Sequence, residues 1–143
     1  MDERLQNIVN HRSKKFKSII ELKYSASYLN NTKWEKLLNN LIEEMNEVVV
    51  KYKLVYDDVI KETIIDMIDD RPFFIEPILY EEIEWIEFPK QYENWVNENN
   101  KKAGKKTYHQ DVNILMEHLK MIGEFNLDIF ESGIRLYAYQ TKN

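Results

Sequence analysis

The sequence predicts an α+β fold: a mainly antiparallel sheet with N-terminal helices, a later helix packed on it and a C-terminal β-hairpin. Two observations favour this class. Apolar residues recur at helical spacing early in the chain, whereas residues 125–139 alternate around a turn with the two-residue period of strands. No regular strand–helix rhythm lies between them, which argues against a parallel α/β sheet.

Two helices are predicted in the first third of the chain. The apolar stripe of the first consists of Leu5, Ile8, Val9, Phe16, Ile19 and Ile20. Residues 24–29 then form a connector or a short extended piece. Thr32 and Glu35 have the spacing of a capping box, which predicts the start of the second helix. Its apolar stripe consists of Trp34, Leu37, Leu38, Leu41, Ile42 and Met45.

The middle of the chain is richer in strand-forming residues. Residues 48–56 predict a strand. Residues 57–70 fit helical spacing but are β-branched, and we favour a helix. Pro77 cannot donate a ladder hydrogen bond, so it divides a strand at 73–76 from a longer one at 79–88. The alternation fails near residues 85–86, which predicts either a bulge there or a strand covered on both faces.

After residue 88 the sequence predicts helices before the final hairpin. Pro89 suits the first turn of a short helix with Tyr92, Trp95 and Val96 on its apolar side. Residues 97–106 are polar and predict a basic loop. Thr107 is the expected cap of a helix that ends at Gly123. Residues 131–133 are the expected turn of the hairpin.

Composition narrows the function classes. A chain of 143 residues suits one domain, 1–143, and the lack of cysteine excludes disulfides and cysteine nucleophiles. No apolar run approaches the roughly 20 residues of a membrane span, and no signal-peptide core is present, so we expect a soluble, cytoplasmic protein. Neither the three histidines nor the three glycines form a metal or phosphate-binding motif. We therefore expect no cofactor, no metal and no enzyme activity.

Acidic residues are concentrated in one block. Residues 54–98 contain three Lys/Arg and thirteen Asp/Glu, a formal balance of −10, which argues against nucleic acid and favours a basic protein partner. Within it, residues 73–89, the acidic segment, combine aromatic and β-branched residues with five glutamates. The candidate partner-binding residues are Glu81, Glu82, Glu84 and Glu87, with Tyr80 or Trp85 as aromatic anchors. Reversing Glu82 and Glu84 to lysine is expected to slow association with a basic partner.

Three motifs carry a family resemblance: Asn30-Asn31-Thr32-Lys33-Trp34, the Ile75-Glu76-Pro77…Tyr80…Ile83-Glu84-Trp85-Ile86 centre, and Gly133-Ile134-Arg135-Leu136-Tyr137-Ala138-Tyr139. Residues 28–140 resemble a small bacterial domain family of unknown function, with residues 1–27 as an N-terminal helical extension. The motifs are core and strand elements, so no active-site residues are carried over.

The resemblance implies an immunity-protein-like role, because small proteins of this kind often accompany bacterial polymorphic toxins. The expected function is therefore an acidic, immunity-type inhibitor of a basic toxin domain. A regulatory or structural homo-oligomer is the alternative. A small-molecule enzyme is a third class, and it would require a deep pocket with convergent polar groups. The oligomeric state stays open.

Overall fold

The computed structural model describes residues 3–67, 73–75 and 77–142, and it confirms an α+β fold. The described residues form three helices and eleven strands. These are α1 Glu3–Lys23, β1 Tyr24–Ser27, α2 Asn31–Met45, β2 Val48–Leu54, β3 Lys61–Ile65, β4 Phe73–Ile75, β5 Ile78–Leu79, β6 Ile83–Pro89, β7 Gln91–Trp95, β8 Lys105–His109, α3 Val112–Ile122, β9 Asn126–Phe130, β10 Gly133–Tyr137 and β11 Tyr139–Thr141. None of the described helices is long and apolar enough to span a membrane.

The principal sheet has five antiparallel strands in the order β3-β2-β6-β10-β9. Strand β6, from the acidic segment, is therefore its central strand. The C-terminal hairpin, β9 and β10, is confirmed at one side of this sheet. Three two-stranded sheets accompany it, and one of them pairs β1, the strand that follows α1, with the C-terminal strand β11.

Helices α2 and α3 pack against each other and against one face of the principal sheet. Their apolar stripes and the inward residues of the strands form one buried cluster. Leu37, Leu41, Leu115, Ile86 and Leu136 are all fully buried in it. Each such side chain contributes about 1.5–3 kcal/mol by leaving water, so this cluster supplies much of the fold's stability.

The α2 helix begins at a different cap from the predicted one. Asn30, in an extended conformation, accepts a hydrogen bond from the backbone N–H of Lys33 at 2.8 Å. Thr32 lies inside the first turn, so the predicted capping box is wrong in its residue, although the helix itself is confirmed. Asparagine and threonine are both strong helix caps. Asn30 is the cap because its backbone is extended, whereas Thr32 already lies within the helix.

The helix predicted over residues 57–70 is wrong where the structure describes it. Residues 61–65 form the edge strand β3, paired with β2 so that Val48 lies opposite Ile65. The β-branched residues there gain more from the pleated surface beside β2 than from helical spacing. Residues 68–70 of that prediction, and Glu76 of the predicted strand at 73–76, lie outside the described residues.

Strands also replace the helix predicted after Pro89. Strands β7 and β8 form a hairpin in which Tyr92 lies opposite Tyr108, their ring centroids 5.7 Å apart. Lys105 and Lys106 of the predicted loop, together with Thr107, are part of β8. Helix α3 is instead capped by Asp111, whose carboxylate accepts two backbone N–H bonds, and it ends at Gly123 as predicted.

The break in the alternation of the acidic segment is real but lies earlier than predicted. Lys53 of β2 pairs with Trp85, whereas Leu54 pairs with Ile83, so Glu84 is the bulged residue. Residues 80–82 form a 3₁₀ turn, and the long strand therefore begins at Ile83. Residues 85–89 are all buried, so side chains cover this stretch of the strand on both faces of the sheet.

Candidate functional site

Glu82 is the most deeply buried glutamate of the acidic segment, with no exposed surface. Four donors surround its carboxylate. Arg12 of α1 donates through Nε at 2.9 Å and through a terminal nitrogen, Tyr56 donates its hydroxyl at 3.1 Å, and Leu79 donates its backbone N–H at 2.7 Å. A buried charge is tolerated when its lone pairs are satisfied in this way. Glu82 therefore anchors α1 to the 3₁₀ turn.

The same contact organises the surroundings of Arg12. The hydrogen bond to Glu82 raises the pKa of Arg12. Burial, and after it the charge of Glu82, raises the pKa of Tyr56, so its hydroxyl stays protonated as a donor. Phe16 of α1 stacks on Tyr56 with ring centroids 4.3 Å apart. The stacking of Phe16 on Tyr56 and the ion pair of Arg12 with Glu82 thus fix the position of α1 in the fold.

Glu84, the bulged residue, is bound by two side chains. The Tyr24 hydroxyl of β1 donates to one carboxylate oxygen, and Lys53 Nζ lies 3.2 Å from the other. Burial, followed by the hydrogen bond to Glu84, raises the pKa of Tyr24 above its ordinary value. Tyr24 also stacks on Tyr139 at 4.7 Å. Glu84 therefore ties the β1–β11 pair to the principal sheet.

Glu87 is paired across the sheet with Arg135, whose terminal nitrogen lies 3.0 Å from Oε1. The guanidinium carbon of Arg135 lies 3.9 Å from the ring centroid of Trp85 and 4.9 Å from that of Phe130. Glu87 and Trp85 are 6% and 5% exposed. The Arg135 side chain thus covers Glu87 and Trp85 and shields them from solvent.

The charges on this face alternate across all five strands. The facing residues, in strand order, are Glu62, Lys51, Glu87, Arg135 and Asp128. Every neighbouring pair in this row has opposite sign, which favours the observed register. Within this row, Glu87 forms an ion pair with Arg135, and Asp128 accepts a hydrogen bond from the Tyr137 hydroxyl.

The aromatic candidates are structural as well. Tyr80 is 1% exposed and its ring stacks on Trp34 at 5.8 Å. Four of the six candidate partner-binding residues are therefore buried: Tyr80, Glu82, Trp85 and Glu87. Burial does not measure partner binding, which stays a prediction.

Glu81 differs from its neighbours. Its Oε1 is buried and accepts no hydrogen bond from any residue that the structure describes. Its backbone carbonyl accepts the Tyr139 hydroxyl at 2.7 Å, which fixes the turn that carries it. Burial, followed by the charge of Glu81, raises the pKa of Tyr139. A buried carboxylate oxygen without a donor costs free energy, and such a group is often kept for a ligand.

Glu81 lines a groove of about 770 Å³ between α1 and the start of α2, here called the α1–α2 groove. Its polar lining includes Ser13, Lys17, Asn31 and Thr32, while Trp34 and Tyr139 supply aromatic surface. A neighbouring cavity of about 140 Å³ shares Ser13, Asn31 and Glu81. Both helices and the 3₁₀ turn therefore converge on the Glu81 carboxylate.

The groove combines polar and apolar surface and is weakly negative. Its charged lining residues are Lys17, Glu21 and Glu81, a formal balance of −1. No described residue forms a hydrogen bond or ion pair with the side chains of Ser13, Lys17, Asn31 or Thr32. In the described part of the chain, no three or more histidine, aspartate or glutamate side chains are grouped to hold a metal ion. What the groove offers is a shielded acceptor with hydroxyl and amide groups around it.

Sequence reasoning named Glu81 but not the groove. Ser13 and Lys17 are four residues apart on α1, a spacing that places them on one helix face. This signal was available but weak, because polar pairs at that spacing occur on most solvated helices. The small-molecule enzyme hypothesis stays a prediction.

Comparison with known proteins adds one relationship. No curated protein and no solved structure matches the chain. A family model matches residues 16–143, further towards the N-terminus than the resemblance over residues 28–140 suggested. The match contains Glu81 and most of the groove, whereas Arg12 precedes it. The chain therefore belongs to the Family of unknown function (DUF6678).

Proposed function

We propose that this chain is an interaction protein that binds a basic protein partner at the α1–α2 groove, as an immunity-type inhibitor of a basic toxin domain. One observation carries the proposal: Glu81 lines the groove, and its Oε1 is buried with no donor among the described residues. A cationic side chain of a partner would supply the missing donor in its most favourable form, a charge-assisted hydrogen bond.

The overall charge supports the same partner. The chain has a formal net charge of −5, and residues 54–98 contribute −10 before the positive ends offset it. A negative protein attracts a basic one over long range, which raises the association rate at low salt. The groove provides the short-range contact that such steering needs.

The glutamates that serve this function differ from the first expectation. Glu82 and Glu84 are bound by Arg12, Tyr24 and Lys53. Reversing them to lysine would place cations beside cations and disrupt the fold, so that experiment would not report on binding. Glu81 is the residue whose substitution separates recognition from folding.

Photo-crosslinking from the rim of the groove tests the proposal. A photo-reactive phenylalanine derivative at the exposed Thr32 is expected to capture a basic protein in the source cell, whereas the same residue at the exposed Glu98 is not. The captured protein should arrest growth when expressed alone, and co-expression of this chain should restore growth. A captured protein that is acidic or harmless, or equal capture from both positions, would contradict the proposal.

A homo-oligomer is the second candidate, and the edge strand β3 favours it. Ile64 on this strand is 39% exposed, and Val59, Ile60 and Met67 nearby are 58%, 54% and 71% exposed. Exposed apolar side chains beside a strand edge can pair with another copy. Light scattering tests this: a dimer that Ile64→Lys converts to a monomer would support it, and a monomer at all concentrations would exclude it.

A further inference from the structure

The residues that line the α1–α2 groove indicate which kind of side chain a partner would insert there. Resting on the proposed function, we infer that the α1–α2 groove is a socket for one arginine side chain, carried on an extended segment of the partner, with Glu81 as the paired anion. The inference comes from the Glu81 carboxylate, the polar side chains of the groove and the partners of the two fully buried glutamates.

Within this molecule, arginine is the cation that satisfies buried glutamates. Arg12 binds Glu82 through two nitrogens, and Arg135 binds Glu87 through Nε and a terminal nitrogen. Glu81 is adjacent to Glu82 on the same 3₁₀ turn. The two glutamates that are buried as whole residues, Glu82 and Glu87, thus both have a guanidinium partner, whereas the partly buried Glu84 is paired with Lys53.

Arginine suits this groove better than lysine on physical grounds. A guanidinium is less strongly hydrated than an ammonium, so it enters a partly buried site at lower cost. The rings of Trp34 and Tyr139 add little to this preference, because they are 2% and 8% exposed and stack on Tyr80 and Tyr24. Arginine's five N–H donors also exceed what one carboxylate accepts, and the oxygens of Ser13 and Asn31 in the lining are further acceptors.

The size of the groove indicates an extended segment instead of an isolated side chain. Its volume, about 770 Å³, lies within the range of sites that enclose a drug-sized ligand and exceeds one arginine side chain. Lys17 lies in the same lining without an ion pair to any described residue. Its ammonium opposes an incoming cation, so it limits affinity and offers a second way to test the electrostatics.

Capped tripeptides provide the probe. Acetyl-Ala-Arg-Ala-amide carries the guanidinium, and the citrulline peptide replaces it with a neutral group of nearly the same shape. NMR titration of the full chain should show the arginine peptide binding roughly 10- to 100-fold more tightly, because a hydrogen bond to a charged group is worth that factor. The Trp34 indole resonance should shift, while that of Trp95, on β7, should not.

Substitutions test whether Glu81 is the residue that recognises the arginine side chain. Glu81→Gln should remove the preference for arginine over citrulline, whereas Glu98→Gln, an exposed control, should keep it. Lys17→Met should strengthen arginine binding severalfold by removing a like charge. Equal binding of both peptides, or a preference that survives Glu81→Gln, would overturn the inference.

The result also separates the socket from the inhibitor role. Discrimination between the peptides without a basic partner in cells would keep the socket and reject the proposed function. A basic partner whose capture is unaffected by Glu81→Gln would keep the function and reject the socket. Concentration-dependent self-association lost in Glu81→Gln would identify a second copy as the occupant and overturn the assignment to a partner protein.

Discussion

Arg12 of α1 binds the fully buried carboxylate of Glu82, which lies 70 residues further along the chain. This ion pair joins the first helix to the acidic segment. In the sequence Glu82 resembles an ordinary surface residue, but in the structure it is buried and anchors α1.

Removing the cation from this pair should be costly. Arg12→Met leaves Glu82 buried without its principal donor and should lower the free energy of unfolding by about 3–5 kcal/mol. Lys14→Met, at an exposed position of the same helix, should change it by less than about 0.5 kcal/mol. Urea denaturation measures both. Similar values for the two variants would show that the pair is not structural.

Arg135 should show the importance of guanidinium shape. Arg135→Lys keeps the charge beside Glu87 but loses the planar contacts with Trp85 and Phe130. We expect a loss of about 1 kcal/mol for lysine and about 2–4 kcal/mol for Arg135→Met, which leaves Glu87 buried and poorly paired. Glu62→Gln, at the exposed end of the same charge row, should stay within about 0.5 kcal/mol. Equal losses in both Arg135 variants would argue against the stacking contribution.

Gly133 is required by a close approach of β10 to β6. A Cβ there would collide with the backbone carbonyl oxygen of Phe88 and lie 3.0 Å from Pro89 Cα. Backbone cannot move aside cheaply, so Gly133→Ala should lower the midpoint of thermal unfolding by several degrees or more. At Gly123 the same methyl would meet nothing nearer than the Phe125 ring at 3.8 Å. Gly123→Ala should therefore unfold close to the unchanged chain, and a reversed order would contradict the register.

Stability should fall in alkaline solution, and Tyr24 should contribute to the fall. The raised pKa of Tyr24 means that the folded chain retains a proton which the unfolded chain loses near pH 10. Its contribution is complete below about pH 10 and is lost as the pH rises further. The free energy of unfolding of Tyr24→Phe should consequently decline less steeply above about pH 10. Parallel pH profiles would exclude a contribution from Tyr24.

Local patterns in the sequence predicted the elements that local physics determines. The stripes of α1 and α2 and the alternation of β9 and β10 are visible without the rest of the molecule. Strand β3 was missed because its stability comes from pairing with β2, and β7 was missed because it pairs with β8 across a loop. Pairing between strands competes with helical spacing, and a single sequence does not weigh the two.

The roles of the candidate site residues also could not be predicted from local patterns in the sequence. The sequence drew attention to four glutamates but gave no means to separate them. Their roles depend on which cation reaches each one: Arg12, Lys53 and Arg135 arrive from distant elements at Glu82, Glu84 and Glu87. Glu81 differs from these three because its buried Oε1 has no donor among the described residues.

The difference between Glu81 and Glu82 is the central claim, and paired denaturation curves of two isosteric variants test it most directly. Glu82→Gln should lower the free energy of unfolding by at least about 1–3 kcal/mol, because four donors lose a charged acceptor. Glu81→Gln should leave it unchanged or raise it, because the buried Oε1 has no donor among the described residues and the negative charge beside it is removed. Equal destabilisation by both variants would show that Glu81 is structural, and it would contradict a binding role for the groove.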